Sequence, residues 1–452
     1  MTSVVRIGCA GGMWGDDLDA PRRLVEGAPL DYLMLDYLAE VTMSILQKQR
    51  ARDPRAGFAR DFPATVVSVL PAIRTRGLRV LADAGGVNPV GCGDAVRDAI
   101  AKAGAAGEVR VGVVTGDDLL PRLDALLAAG HELRNMDTGE PLAAVRDRVV
   151  AANAYIGADG LVAALDQGAQ VVVTGRCADA SLCLAPLVHE YHWPADDWDR
   201  RAAGMIAGHI IECGAQCTGG NCLHDWESIP DLANVGYPIV EVAADGTFVV
   251  TKPEGSGGRV SVLSVTEQLV YEIGDPRAYL TPDVSCDFTG LALTQAAPDR
   301  VAVRGARGTP KPAQLKVSIA YTAGYKAIGT LTYAWPDALA KAQRADAVLR
   351  ERLDRAGLRF DAIVSEFVGA GATHGTVAPQ TELPEVGYRI GVRDADKAKV
   401  DRFTREVAPL VLNGPPSATG YAQARGKVEE VVAFWPALID RQAVDVHVEV
   451  RA

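Results

Sequence analysis

The sequence predicts an α/β fold, with an N-terminal largely parallel sheet carrying helices on both faces, followed by a mixed α+β C-terminal domain. Three observations lead there. Within the first 180 or so residues, five apolar β-branched runs end in small and acidic residues: RIGCAGGMWGDD at 6–17, YLMLDYLAE at 32–40, RVLADAGGVNP at 79–89, VRVGVVTGDD at 109–118 and VVVTGRCADAS at 171–181. Helical stretches separate these runs, as expected of buried parallel strands joined by crossover helices. From about 220 to 335 the pattern changes to alternating apolar and polar residues broken by Gly, Asp-Gly and Pro, which reads as antiparallel sheet.

Taken in order, a strand at 4–9 leads through a Gly-rich loop to a helix near 19–26. A strand at 32–37 precedes a helix at 40–52, with Leu46 on its apolar face. A strand at 78–82 precedes a helix at about 93–103, beyond Asn88-Pro89. The strand at 109–114 is followed by DDLLPRLDALLAAG, acidic at its start and closed by Gly130. A helix at 157–167 feeds a strand at 170–174, and an apolar helix runs over about 199–216. Beyond it, ADGT at 244–247 marks a hairpin turn, and 336–357 is a charged amphipathic helix. The rest reads as a βαββ piece. The expected division is 1–224 and 225–452, with the joint at Asp225–Asn234.

At 452 residues the chain exceeds what one core usually covers. A net charge of −11 argues against binding a nucleic-acid backbone, though not against a small anionic ligand. No run approaches the ~20 apolar residues of a membrane span, and MTSVVRIGCAGG is unlike a signal peptide. The expectation is a cytoplasmic, homo-oligomeric chain whose eight cysteines are unpaired.

Strand ends of a parallel sheet converge on one rim, where ligands bind. The first loop offers Gly11, Gly12 and Asp16, with backbone suited to close approach by a ligand. Glycines serve tight turns equally well. Asp36 and Glu40 follow the second strand, Asp83, Gly85, Gly86 and Asn88 the third, Gly116, Asp117 and Asp118 the fourth. One of the last two aspartates fits a helix N-cap. Together these carboxylates suit a divalent cation or a carboxyl kept protonated as a general acid. Arg176, with Asp179 three residues on, suits a carboxylate clamp or an internal ion pair.

His209, Cys213 and Cys217 fall on one helical stripe, but C-x3-C-x4-C-x-H fits no zinc-ribbon spacing. His209 and Glu212 are the better pair for proton transfer, against the alternative of a satisfied core histidine. In KPEGSGG, Lys252, Glu254 and Gly257 fit a lid over a ligand or a plain exposed loop. Glu272, Asp283 and Asp287 read as surface charges, and 414–420 as a ligand edge or a rigid connection. No Gly-x-Ser-x-Gly elbow, His-Glu-x-x-His helix or P-loop ending is present.

As a set, these segments resemble the acyclic terpene utilisation (AtuA-like) family. The resemblance rests on Gly11-Gly12 through Gly15-Asp16, Leu38-Ala39-Glu40, Asn88-Pro89, Thr115-Gly116-Asp117-Asp118, Asn153-Ala154-Tyr155-x-Gly157, Thr174-Gly175-Arg176 through Asp179 to His189, Gly208-His209, Glu212 to Gln216, Thr218 to Gly220, KPEGSGG, TEQLVYE and Tyr279 to Asp283. It covers essentially the whole chain. Asp83 departs from it, standing where Asn is expected, and Cys217 and Cys222 are particular to this sequence. The resemblance implies catabolism of acyclic terpenes and related branched acids as coenzyme A thioesters, a lyase that hydrates or dehydrates such a substrate, and a small separate AtuA-like partner. From the reading of the loops, Arg176, Asp179, His209, Glu212 and Asp83 are the expected catalytic residues. Asn153 joins the loop residues above as a binding residue. The alternatives are an acyl-ligand-binding subunit of a two-component enzyme and a metal-dependent hydrolase or C–C lyase.

Overall fold

The structure, a computed structural model, describes residues 4–375 and 382–452. They form a mixed α/β protein of two compact units: residues 4–320 with 434–452, and residues 321–433 excluding those not described.

The first unit opens with β1 (Val4–Cys9), α1 (Ala20–Gly27), β2 (Tyr32–Leu35), α2 (Glu40–Arg52), α3 (Phe62–Arg76), β3 (Arg79–Ala82), α4 (Pro89–Lys102) and β4 (Val111–Thr115). It continues with α5 (Leu123–Ala128), β5 (Val149–Ala154), α6 (Asp159–Asp166), β6 (Val171–Thr174), α7 (Ser181–Tyr191) and α8 (Trp198–Ile211). The largely parallel N-terminal region foreseen in the sequence is present: β1, β2, β3, β6 and β4 lie side by side in that order, all parallel.

Alternating side chains along these strands supply two cores. Leu33, Leu35, Val80, Ala82, Val171 and Val173 pack with α1, α3 and α4. Tyr32, Met34, Leu81 and Val172 face the opposite way, into the core of α6, α7 and α8. Helix α3 was not foreseen; its TVVSVL run is β-branched and Pro71 interrupts it, yet seven of its residues are buried. The strand β5 was not foreseen either.

The hairpins β7 (Ile239–Ala243) with β8 (Phe248–Thr251), and β11 (Ala292–Ala297) with β12 (Arg300–Arg304), extend this sheet beyond β1. Strand β7 runs antiparallel to β1 from Val4↔Ala243 to Gly8↔Ile239. At the far edge β19 (His447–Arg451) lies antiparallel to β4. The compact division therefore falls after Ala320, whereas the sequence pattern pointed to 224/225. The change from parallel to antiparallel character is real, but both kinds of strand share one sheet. The ADGT turn lies where expected, with Gly246 at φ +86 and Thr247 O accepting from Ala243 N. Helix α9 (Val262–Leu269) and a small sheet of β9 (Tyr279–Leu280), β10 (Ser285–Asp287) and β13 (Arg307–Thr309) complete the unit.

In the second unit, β15 (Ala362–Val368) and β16 (Glu385–Asp394) pair antiparallel, and β16 pairs with the part of β14 (Gln314–Ala334) from Tyr325 onward. The short β17 (Ala418–Thr419) lies on the other side of β14. Helices α10 (Ala338–Arg355), α11 (Lys397–Phe403) and α12 (Leu410–Asn413) cover one face, where Leu349, Leu353, Phe403 and Leu410 meet Tyr333, Tyr388 and Ile390. Helix α10 realises the amphipathic helix expected at 336–357. Among the described residues no helix is long and apolar enough to cross a membrane.

Candidate functional site

Strand order locates the site. The chain steps from β1 through β2 and β3 to β4 with helices on one face, then returns through α6 on the other face to place β6 between β3 and β4. Loops leaving β3 and β6 therefore depart to opposite faces, which opens a crevice at the carboxyl ends of the strands. Asp83 follows β3 directly, Asp36 follows β2, and Arg176 and Asp179 lie on the loop after β6.

The structure brings these four together. Oxygens of Asp36, Asp83 and Asp179 lie within 4.8 Å of one another. Arg176 Nη2 is 2.8 Å from Asp179 Oδ1, and its Nη1 is 3.9 Å from Asp83 Oδ2 and donates to Leu38 O at 2.5 Å. Backbone amides hold two of the carboxylates: Tyr37 N donates to Asp83 Oδ1 at 2.7 Å, and Leu38 N to Asp36 Oδ1 at 3.0 Å. Asp83 is wholly buried, whereas the Asp179 side chain is 28% exposed and is the solvent-facing member. Asp83 Oδ2 and Arg176 Nε are buried without a hydrogen-bond partner, while Asp179 Oδ1 has the guanidinium beside it.

Burial dominates the electrostatics. It pushes Asp83 up to about 6 although Arg176 pulls the other way. Asp179 rises to about 8, through burial and the charges of Glu212 and Asp83 against that of Arg176. Asp36 is pushed up by burial and by Asp179 and Asp83. Burial also opposes the Arg176 charge, but Asp179 and the other acidic neighbours outweigh it and keep the guanidinium charged.

Above this group lies Tyr155, its ring 4.3 Å from Arg176 Cζ and 4.8 Å from Lys316 Nζ. Its hydroxyl donates to Glu40 Oε1 at 2.6 Å, and Lys316 Nζ is 3.4 Å from the same oxygen. Burial raises Glu40, but the Tyr155 hydrogen bond and the charges of Lys316 and Arg176 prevail and leave it below the usual carboxylate range. Lys316 escaped the sequence reading because it sits in an alternating strand with no motif around it. Tyr155 was visible only as part of the Asn153–Gly157 segment.

Behind the Arg176 loop, Asp117 Oδ2 accepts from Arg176 N at 2.8 Å and from Asn153 Nδ2 at 2.9 Å. Burial pushes Asp117 up to about 7. A Cβ at Gly175 would stand 2.3 Å from Asp117 Oδ1, so this close approach requires glycine. Asp117 and Asn153 thus shape the loop from within. Neither aspartate is a helix N-cap: Asp118 Oδ1 accepts from Leu120 N at 3.0 Å in a local turn, and the N-cap positions that follow are Leu119 and Arg122.

The first loop borders the group from the β1 side. Gly11 O accepts from Asp36 N at 3.0 Å, and a Cβ at Gly12 would lie 2.6 Å from the Cys213 carbonyl carbon. Gly12 N donates to Asp16 Oδ2 at 3.1 Å, and Tyr237 donates to Asp16 Oδ1 at 2.6 Å, so this amide is engaged within the protein. His209 Nδ1 lies 3.2 Å from Glu212 Oε1 and Nε2 3.3 Å from Leu269 O. Its ring packs against Tyr279 and Phe288. Burial disfavours the imidazolium, yet Glu212 outweighs this and raises the His209 pKa.

Other residues lie apart from the carboxyl group. Asn88 caps α4, accepting from Gly91 N at 3.0 Å while its Nδ2 donates to Ala56 O. Gly85 N donates to Thr174 O at 3.0 Å, Gly86 packs on Leu46, and Gly116 abuts the Asp445 carbonyl. In KPEGSGG, Lys252 pairs with Asp299 at 3.2 Å and donates to Ser256 O, and Gly257 N donates to Asn234 O. Glu254 is exposed. Among the described residues, the hydrogen bonds and ion pairs of this loop do not reach Asp36, Asp83, Arg176 or Asp179. Asp283 corrects the surface reading: it is 1% exposed, accepts from Ala158 N at 2.9 Å and from Ser181 Oγ at 2.6 Å, and so ties the starts of α6 and α7 together.

Among the described residues, His209, Cys213 and Cys217 do not form a metal-compatible group; Asp36, Asp83 and Asp179 do. Burial pushes the Cys213 thiol up to about 12, away from a ligating thiolate.

No curated protein and no solved structure matches the chain. The sequence profile of the family described as acyclic terpene utilisation family protein AtuA matches residues 5–450, nearly the whole length and every element of the site. The chain belongs to the acyclic terpene utilisation AtuA family.

Proposed function

We propose that this member of a family involved in acyclic terpene utilisation is a lyase. It adds water to, or removes it from, a branched acyl-coenzyme A or a related carboxylic acid. The observation that carries this reading is the pair of opposite charges on one Tyr155: Arg176 beside its ring at 4.3 Å, and the Glu40 carboxylate on its hydroxyl at 2.6 Å.

Dehydration of a 3-hydroxyacyl group needs a base at the α-carbon, positive charge at the carbonyl or carboxylate oxygen, and an electrophile for the departing hydroxyl. Glu40, ionised and part-exposed, takes the α-proton, and Tyr155 steadies that carboxylate. Arg176 offers its permanent charge and its unpartnered Nε–H to the oxygen that becomes negative as the C–H bond breaks. The C–O bond at the β-carbon then breaks, and the proton that Glu40 has taken passes to the departing hydroxide, which leaves as water; a cation held by Asp36, Asp83 and Asp179 would steady that oxygen. Hydration runs the same steps in reverse. His209 and Glu212 act from behind, since His209 is enclosed by Tyr279, Phe288 and Leu269 O.

The test is incubation of the protein with branched enoyl- and 3-hydroxyacyl-coenzyme A and the corresponding acids in oxygen-18 water, read by mass spectrometry. One labelled oxygen is expected in the hydrated product, lost in Arg176→Ala and strongly reduced in Glu40→Gln. If activity requires a co-expressed small AtuA-like protein, the chemistry stands and the enzyme has two components. No turnover with or without that protein, and ligand binding unchanged in Arg176→Ala, overturns the reading.

A further inference from the structure

Asp36, Asp83 and Asp179 gather their carboxyl oxygens in one place, with the Arg176 guanidinium beside two of them. The geometry points to a divalent, oxygen-seeking cation bound by Asp36, Asp83 and Asp179 at the ends of three adjacent strands. This inference deepens the lyase reading, but its direct test is independent of any activity.

Formal charge is the first argument. Three carboxyls surround one guanidinium, so ionising all of them would leave two negative charges uncompensated in a buried place, and a divalent ion supplies that balance. Fixed aim is the second. The Tyr37 and Leu38 amides each take one oxygen of Asp83 and Asp36, which immobilises both carboxylates before any ligand arrives. The third argument is independent of the clustering. Asp83 is 0% exposed, and its Oδ2, within 3.9 Å of Arg176 Nη1, has no hydrogen-bond partner. A buried carboxylate oxygen left unsatisfied calls for a partner.

Donor type and spacing select the ion. Three carboxylates and solvent suit Mg2+, Mn2+ or Ca2+ rather than a thiolate- or imidazole-seeking metal. Two oxygens on one ion stand no farther apart than twice the metal–oxygen distance, about 4.2 Å for Mg2+ and about 5 Å for Ca2+. A group within 4.8 Å therefore accepts Ca2+ as it stands and Mg2+ or Mn2+ after a small contraction. Because the Asp179 side chain is partly exposed, the ion retains a solvent-facing side where a substrate oxygen replaces water.

Full-length protein, stripped with a chelator, is titrated with Mn2+ and followed by the paramagnetic resonance of free Mn2+, with Mg2+ and Ca2+ as competitors. One Mn2+ per chain is expected, displaced by one of the two competitors. Asp83→Asn and Asp36→Asn are each expected to weaken binding at least tenfold, while Asp275→Asn, at an exposed turn, does not. Near-ultraviolet circular dichroism of the variants separates a lost ligand from a lost fold; a variant that does not fold is replaced by Asp179→Asn, the solvent-facing member. Absence of Mn2+, Mg2+ and Ca2+ binding to the unaltered protein, or undiminished binding in folded variants, overturns the inference. Binding without water addition sinks the lyase reading alone. Water addition that persists in chelator, with no bound ion, sinks the cation alone.

Discussion

The side chain of Asp117 accepts the main-chain amide of Arg176 at 2.8 Å, so the end of one strand holds the loop that follows its neighbour. The same oxygen accepts from Asn153 Nδ2 at 2.9 Å. Replacing Asp117 by Ala leaves two buried donors unpaired, and a loss of about 2–3 kcal/mol in urea unfolding is expected. Arg176 should lose its alignment as well, so ligand affinity falls along with stability.

Asp117 also sets a pH dependence. Burial raises its folded pKa to about 7, above an unfolded value of about 3.9. Between those values the folded state holds more protons than the unfolded one. The contribution is therefore complete below about pH 4 and is lost as pH rises through about 7, with a slope of up to ~1.4 kcal/mol per pH unit. Asp117→Asn should flatten that part of the stability profile. An unchanged slope across pH 4–7 would show that Asp117 does not titrate there.

Asp283 joins two helix starts that are distant in sequence. Asp283→Ala removes the acceptor for Ala158 N and Ser181 Oγ, and about 2–4 kcal/mol of stability should go with it. Ser181→Ala should cost only about 1 kcal/mol, because Ala158 N keeps its partner. Equal losses in the two variants would contradict the hub role.

Two glycines of the first loop should behave differently. At Gly12 a Cβ meets the Cys213 backbone at 2.6 Å, so Gly12→Ala must displace the loop from the end of α8, at about 2 kcal/mol or more. At Gly15 nothing lies within 4 Å, and only its φ of +95 opposes a side chain, so Gly15→Ala should cost about 1 kcal/mol. Thermal denaturation of the pair checks the order.

Tyr155→Phe keeps the ring beside Arg176 and removes the hydroxyl from Glu40. Glu40 then loses the contact that most depresses its pKa, so the acidic limb of kcat/KM should move to higher pH. An unmoved limb with lowered kcat would mean that Glu40 is not the titrating base.

The polar strand ends were legible because buried parallel strands announce themselves as apolar runs, and whatever follows them must lie on the rim. Asp36, Asp83, Arg176 and Asp179 could be read in this way. Lys316 could not, because a lysine within an alternating strand resembles any solvated residue until its neighbour Tyr155 is known. Asp283 was misjudged because a polar side chain that satisfies distant backbone looks, in sequence, like a free one. The join of β7 to β1 was equally hidden, since it is made by main-chain hydrogen bonds that favour no particular side chain. The TVVSVL run of α3 carries β-propensity that packing overrode.

Asp36, Asp83 and Asp179 issue from β2, β3 and β6, three neighbours in one parallel sheet. Asp36 and Asp83 stand directly beyond paired neighbours, so their lateral spacing follows the ~4.8 Å repeat of paired backbones, and the loop after β6 folds Asp179 back to within 4.8 Å of both. Lengthening or replacing a connecting helix would leave that spacing unchanged, whereas slipping one strand by a single residue would turn its carboxylate away. The chemistry is in this sense ruled by the lattice of the sheet, and the surrounding connections are free to diversify for different substrates without redrawing it.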